Sequence, residues 1–182
     1  MENHASPKNR IIIPLLLLVT ALAVGVTVWA LVFRDTTPVL APDYAPVEAE
    51  RNAMPIEDEP EAEKMEAAQG GGAVSMTYQK SVAISLAEGK ANLMFQNPSR
   101  SVNDMVLQLI VLGGDGSETI IAQSGSIRPG SRMEQMELIP GAAVLSEGTY
   151  HGKFNVLYYD PDTREKAIVN GSIDGIEITV GP

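Results

Sequence analysis

Three rhythms of hydrophobic and polar positions divide the chain. From Ile11 to Phe33 it runs twenty-three residues without a charge. At about 1.5 Å of rise per residue such a helix is roughly 35 Å long, enough to cross a hydrocarbon layer of about 30 Å. Pro14 falls in the first turn, where its missing N–H has no intrahelical partner to lose. Trp29 and Phe33 stand near the far end, where aromatic rings favour the headgroup boundary. Residues 11–33 are therefore expected to form a transmembrane helix. Residues 34–72 show no periodicity, and from residue 73 to 182 the pattern has a period of two.

That last pattern predicts short strands separated by turns. Val82, Ile84 and Leu86 alternate with small or polar neighbours, Leu93 and Phe95 follow, and the run stops at Asn97-Pro98. Met105 to Leu112 is apolar on both faces apart from Gln108, which predicts a central strand. Gly113–Gly116 turns the chain into Glu118–Ser124, and Arg128-Pro129-Gly130 precedes Arg132–Leu138. Tyr150, Gly152, Phe154, Val156 and Tyr158 share one strand face, with His151, Lys153, Asn155, Leu157 and Tyr159 on the other. Asp160-Pro161-Asp162 leads into Lys166–Val169, and Ile176, Ile178 and Val180 close the domain. Pro140–Ser146 is the one place for a helical turn. Seven to eight short strands of this kind imply an all-β antiparallel sandwich over 73–182.

Charge sets the orientation. Lys8 and Arg10 precede the apolar run, whereas Arg34 is followed at once by Asp35. The positive-inside bias places residues 1–10 in the cytoplasm and residues 73–182 outside. A cleaved signal peptide is the competing reading, but its hydrophobic region is usually about 7–15 residues and ends in a small-residue site. Here Ala21-Leu22-Ala23 falls in the middle of the run, so an uncleaved signal anchor is expected. The chain has no cysteine, which excludes a lipidated-cysteine anchor.

The net charge of −10 comes mostly from residues 35–72, which carry ten acidic and two basic side chains and five prolines. Such a composition cannot bury enough apolar area to offset chain entropy, so 34–72 reads as an acidic, proline-rich, disordered spacer. Glu61–Gln69 holds strong helix formers, but so short a helix is marginal in water. The spacer is expected to hold the domain clear of the headgroups.

Leu145-Ser146-Glu147-Gly148-Thr149-Tyr150 resembles the L-x-x-G-x-Y corner of immunoglobulin-like and fibronectin-like domains. The resemblance implies that Tyr150 hydrogen-bonds back across the corner and serves structure. The overall layout, with Ser99–Leu112 and Tyr150–Val169 carrying most of the likeness, resembles uncharacterised single-pass membrane proteins of Gram-positive bacteria. These join an acidic spacer to an immunoglobulin-like ectodomain. That resemblance implies no activity.

Motifs that carry chemistry are scarce. His151 is the one histidine of the domain, and no G-x-S-x-G surrounds a serine. Gly113–Gly116 lacks the G-K-[ST] ending of a phosphate loop and joins two strands. Asp160–Glu165 lacks calcium-loop spacing, and Arg164 and Lys166 partly neutralise it. Asn170-Gly171-Ser172 matches a glycosylation acceptor but reads more economically as a turn. An intramolecular amide between Lys153 and Asn170, assisted by Glu177, would need all three buried together, whereas Lys153 is predicted to point outward. No catalytic, cofactor-binding or metal-ligating residue is assigned, and no cofactor is expected.

The expected function is a non-enzymatic, membrane-tethered extracytoplasmic module of the cell envelope. Its expected partners are the membrane, through one span, and another envelope protein or a wall polymer. Outward-facing Tyr159, Leu157, Met94 and Met105 are candidate contacts. The alternative is a carbohydrate-binding module, against which stands a domain with no tryptophan, four tyrosines and two phenylalanines. Scattered basic residues and net acidity argue against nucleic acid.

Overall fold

The computed structural model describes residues 16–25, 40–57, 59, 63–66, 74–168 and 170–182. They belong to two units, 1–37 and 38–182. In the first, residues 16–25 form an α-helix with every side chain exposed, and the Thr20 hydroxyl donates to the Leu16 carbonyl at 2.9 Å. Among the described residues no helix is long and apolar enough to cross a membrane. Residues 1–15 and 26–33 lie outside them, and so does most of the expected span.

The second unit is all-β, with nine strands among the described residues. They are β1 (Ala53–Pro55), β2 (Thr77–Tyr78), β3 (Ser81–Ser85), β4 (Lys90–Asn97), β5 (Asp104–Leu112), β6 (Glu118–Gln123), β7 (Ser131–Glu137), β8 (Gly148–Tyr159) and β9 (Gly171–Gly181). A 3₁₀ turn at Pro140–Val144 falls where the sequence allows a helical turn. The strands form one sheet in the order β1-β7-β4-β3-β9-β8-β5-β6, with β2 also on β4. The sheet curls until its ends meet: Ala122 in β6 bridges Leu138, and the Ile139 N–H donates to the Ile121 carbonyl at 2.9 Å.

Alternation decides what the curl encloses. Val82 and Ile84, Leu93 and Phe95, Phe154 and Val156, and Ile176, Ile178 and Val180 turn inward from their strands. Phe95 and Phe154 meet edge to face across the core, ring centroids 6.4 Å apart, the arrangement aromatic quadrupoles favour. Gly152 has to be glycine here, because a Cβ would stand 2.4 Å from the Ile110 carbonyl oxygen and 2.5 Å from Ile178 Cδ1.

Three expectations are corrected. The sheet is not wholly antiparallel, because β3 runs parallel to β9, from Ser81 opposite Glu177 to Ser85 opposite Gly181. Residues 166–168 form no strand; Lys166 only bridges Tyr159 and Glu165 only bridges Tyr44, and Val169 lies outside the described residues. The largest difference concerns the spacer. Its described residues lie along the β-domain: β1 pairs with the edge of β7, and Met65 and Lys64 hydrogen-bond to the Arg100 and Ser101 carbonyls. Residues 63–66 form no helix. We call residues 40–57 the strap.

The physical reason is that β5 and the end of β8 are apolar on both faces. One face supplies the main core. The other holds Val106, Leu157 and Tyr159, which pack with Ala45 of the strap. Leu157 and Tyr159, expected to face solvent, are buried beneath the strap, while Met105 belongs to the main core and Met94 is half-buried.

Candidate functional site

The strap is fixed chiefly by its own backbone. The buried Tyr159 hydroxyl donates to the Pro42 carbonyl at 2.8 Å. Burial, and then the Asp43 carboxylate, push that hydroxyl up to about 12. Lys166 Nζ donates to the Ala41 carbonyl at 3.0 Å, and its backbone N–H to the Asp43 carbonyl at 2.9 Å. Ala45 N–H donates to the Arg164 carbonyl at 2.7 Å, and the Arg164 guanidinium returns a bond to the Ala45 carbonyl.

Further along, Glu50 acts as a buckle. Its backbone N–H donates to the Ser126 carbonyl at 2.9 Å. One carboxylate oxygen accepts from the Gly125 N–H at 2.6 Å, and the other from the backbone and side chain of Asn52 at 3.0 and 3.1 Å. Gly125 passes so close that a Cβ there would lie 3.0 Å from the Glu50 nitrogen.

Between strap and sheet opens a cleft of about 510 Å³. Pro46, Val47 and Ala49 of the strap form one wall; Asp104 at the start of β5 and buried Ser126 lie across from them. The rim carries Lys64, Arg128 and Arg164. Three cations and one carboxylate therefore line a cleft in a protein of net charge −10. The Ser126 hydroxyl donates to the Asp104 carboxylate at 2.9 Å, and Lys64 Nζ donates to the Ser101 carbonyl at 2.8 Å. Arg128 is exposed, and among the described residues nothing accepts from its guanidinium. The arrangement can hold an anionic group.

The residues weighed from sequence lie elsewhere. His151 is exposed on β8, opposite Glu177 of β9. Lys153 pairs with Glu118 at 2.7 Å and stands opposite Asp174, while the Asn170 amide oxygen accepts from the Tyr158 N–H at 3.4 Å. Lys153, Asn170 and Glu177 are thus each engaged or placed separately. The Asp160 carboxylate accepts from the N–H groups of Thr163 and Asp162, which hold it below the usual carboxylate range. Its acidic turn is thereby closed on itself. Gly113–Gly116 joins β5 to β6 as expected, its Gly116 N–H donating to the Gly113 carbonyl at 2.9 Å.

The corner expected from Leu145–Tyr150 is formed. The Tyr150 hydroxyl donates to the Ser146 carbonyl at 3.0 Å and accepts from the Ser146 N–H at 3.1 Å. The Ser146 hydroxyl and then its backbone hold Tyr150 below the ordinary tyrosine value.

Sequence reasoning missed the cleft. Lys64, Asp104, Arg128 and Arg164 are far apart in the chain and follow no spacing; the fold brings them together, with Lys64 placed by its bond to the Ser101 carbonyl and Arg164 by its bond to Ala45 of the strap.

No family model matches the chain, and no curated protein matches it. Among solved structures it is similar to the major subunit of aggregative adherence fimbriae type I from Escherichia coli, at 10% identity and a TM-score of 0.28. The match covers 60% of this chain and 95% of that one.

Proposed function

We propose that the chain is a non-enzymatic interaction module of the cell envelope. In this reading residues 11–33 anchor it in the membrane with residues 1–10 in the cytoplasm, and an immunoglobulin-like β-domain is presented outside. The observation that carries the reading is the cleft under the strap, a ligand-sized concavity whose charge opposes that of the whole protein. Supporting it, the strap, the Ser126–Pro129 turn and the Asp160–Arg164 turn that surround this cleft are all pinned by hydrogen bonds. A preorganised surface of this kind suits recognition. The Tyr150 corner supports the immunoglobulin-like assignment.

In-cell crosslinking of the full chain, followed by identification of what co-purifies, tests the reading. A recurrent envelope protein, captured only when residues 40–182 are present, is the expected result. Capture that needs only residues 11–33 overturns it.

A further inference from the structure

We infer that the cleft under the strap receives an acidic peptide segment of the partner protein, an inference that rests on the interaction-module reading. The charge balance is the first argument. Lys64, Arg128 and Arg164 outnumber Asp104 in the lining, although the whole chain carries 23 acidic side chains against 13 basic ones. The strap's acids are occupied or turned outward: Glu50 is bound to Gly125 and Asn52, Glu48 pairs with Arg51, and Asp43 pairs with Lys166.

Donor capacity is the second argument. A guanidinium carries five N–H donors in a fork that matches a carboxylate. Arg128 spends none on the described residues, and Arg164 spends its side chain on the Ala45 carbonyl alone. Arg164 also holds φ at 64°, a conformation where glycine or asparagine is usual. An arginine at that position keeps both the clamp on the strap and charge at the rim.

The shape and the overall field select among anions. Pro46, Val47 and Pro129 give the cleft apolar walls beside its charges, as an extended peptide with apolar and acidic side chains requires. A densely charged polyanion would meet the −10 of the whole protein and the Asp104 carboxylate inside the cleft. A segment with one or two carboxylates meets neither obstacle to the same degree.

An array of short acidic peptides, each beside a copy with Glu and Asp replaced by Gln and Asn, tests this with the full chain. The acidic copies retain the protein and the amide copies do not. Arg128→Gln, an exposed change that leaves the fold intact, lowers retention about tenfold, as expected for one lost charge-assisted pair. Lys80→Gln, an exposed change outside the cleft, changes nothing. Equal retention of acidic and amide copies, or undiminished retention by Arg128→Gln, overturns the inference. So does inorganic phosphate that competes as well as peptide, which would make the cleft a site for free anions. If crosslinking captures a partner whose recovery survives Arg128→Gln, the interaction module stands and the cleft is not its contact.

Discussion

The Tyr159 hydroxyl and the Pro42 carbonyl are 2.8 Å apart, joining the end of the longest strand to the first turn of the strap. A buried phenol is thereby satisfied by a segment whose composition belongs to solvent.

Alkali should therefore loosen the strap. Tyr159 ionises at about 12 in the folded chain and near 10 when unfolded, so its contribution is complete below pH 10 and is lost as pH rises through 12. The difference is worth about 2–3 kcal/mol. Tyr159→Phe removes that part of the dependence. Tyrosinate absorbance checks the order of ionisation, with Tyr150 titrating below the ordinary value and Tyr159 above it.

Gly125→Ala should detach the strap and spare the core. The new methyl presses on backbone, 3.0 Å from the Glu50 nitrogen and 3.1 Å from the Glu48 carbonyl oxygen. A cost of about 1–3 kcal/mol is expected for such overpacking. Hydrogen exchange should speed up at Glu50 and Gly125 while Leu107 and Phe154 keep their protection. Gly152→Ala, by contrast, strikes the Ile110 carbonyl inside the curl and should lower the stability of the whole domain.

A chain cut at residue 73, where composition changes, should be poorer than one cut at residue 40. Removing the strap bares Leu157, Val106 and Tyr159, a loss of about 5–9 kcal/mol if each side chain contributes its usual share. Dye binding to exposed apolar surface and the thermal midpoint measure the difference. Equal midpoints for the two fragments would show that the strap does not stabilise the domain.

Asn97→Ala should cost about 2–3 kcal/mol. The buried amide donates to the Asn103 carbonyl at 3.0 Å and the Ile127 carbonyl at 2.9 Å, tying the loop after β4 to the segment after β6. Denaturant melting of the single variant is sufficient to check it.

The core was legible in the sequence because its signal lies in side chains. Val82 and Ile84 alternate with small or polar neighbours, Gly113–Gly116 marks its turn, and Tyr150 announces its corner. The strap was not legible, because Ala41, Pro42, Asp43 and Ala45 dock through main-chain carbonyl and N–H groups that any residue would supply. The signal that could have found it lay on the partner strands. Leu157 and Tyr159 on the second face of β8, and the doubly apolar β5, required a cover from somewhere. Gln108 fits the same account, buried and donating to the Gln123 amide oxygen at 2.7 Å, which also accepts from the strap's Ala41 N–H. The parallel β3–β9 pair had no local signal, since strand direction is a property of topology.

The strap's attachments follow one another along the chain: Ala41, Pro42, Asp43, Ala45, Glu50, then β1. Tension applied from the N-terminal side would load the first of these alone and pass to the next only after it broke. The strap would then yield as a zipper, in small steps at low force, before the interlocked strands of the curl bore any load. Single-molecule pulling would record those steps as a short extension ahead of the main rupture. The cleft, whose wall is the strap, would open at that early stage, making its grip on a ligand responsive to mechanical load.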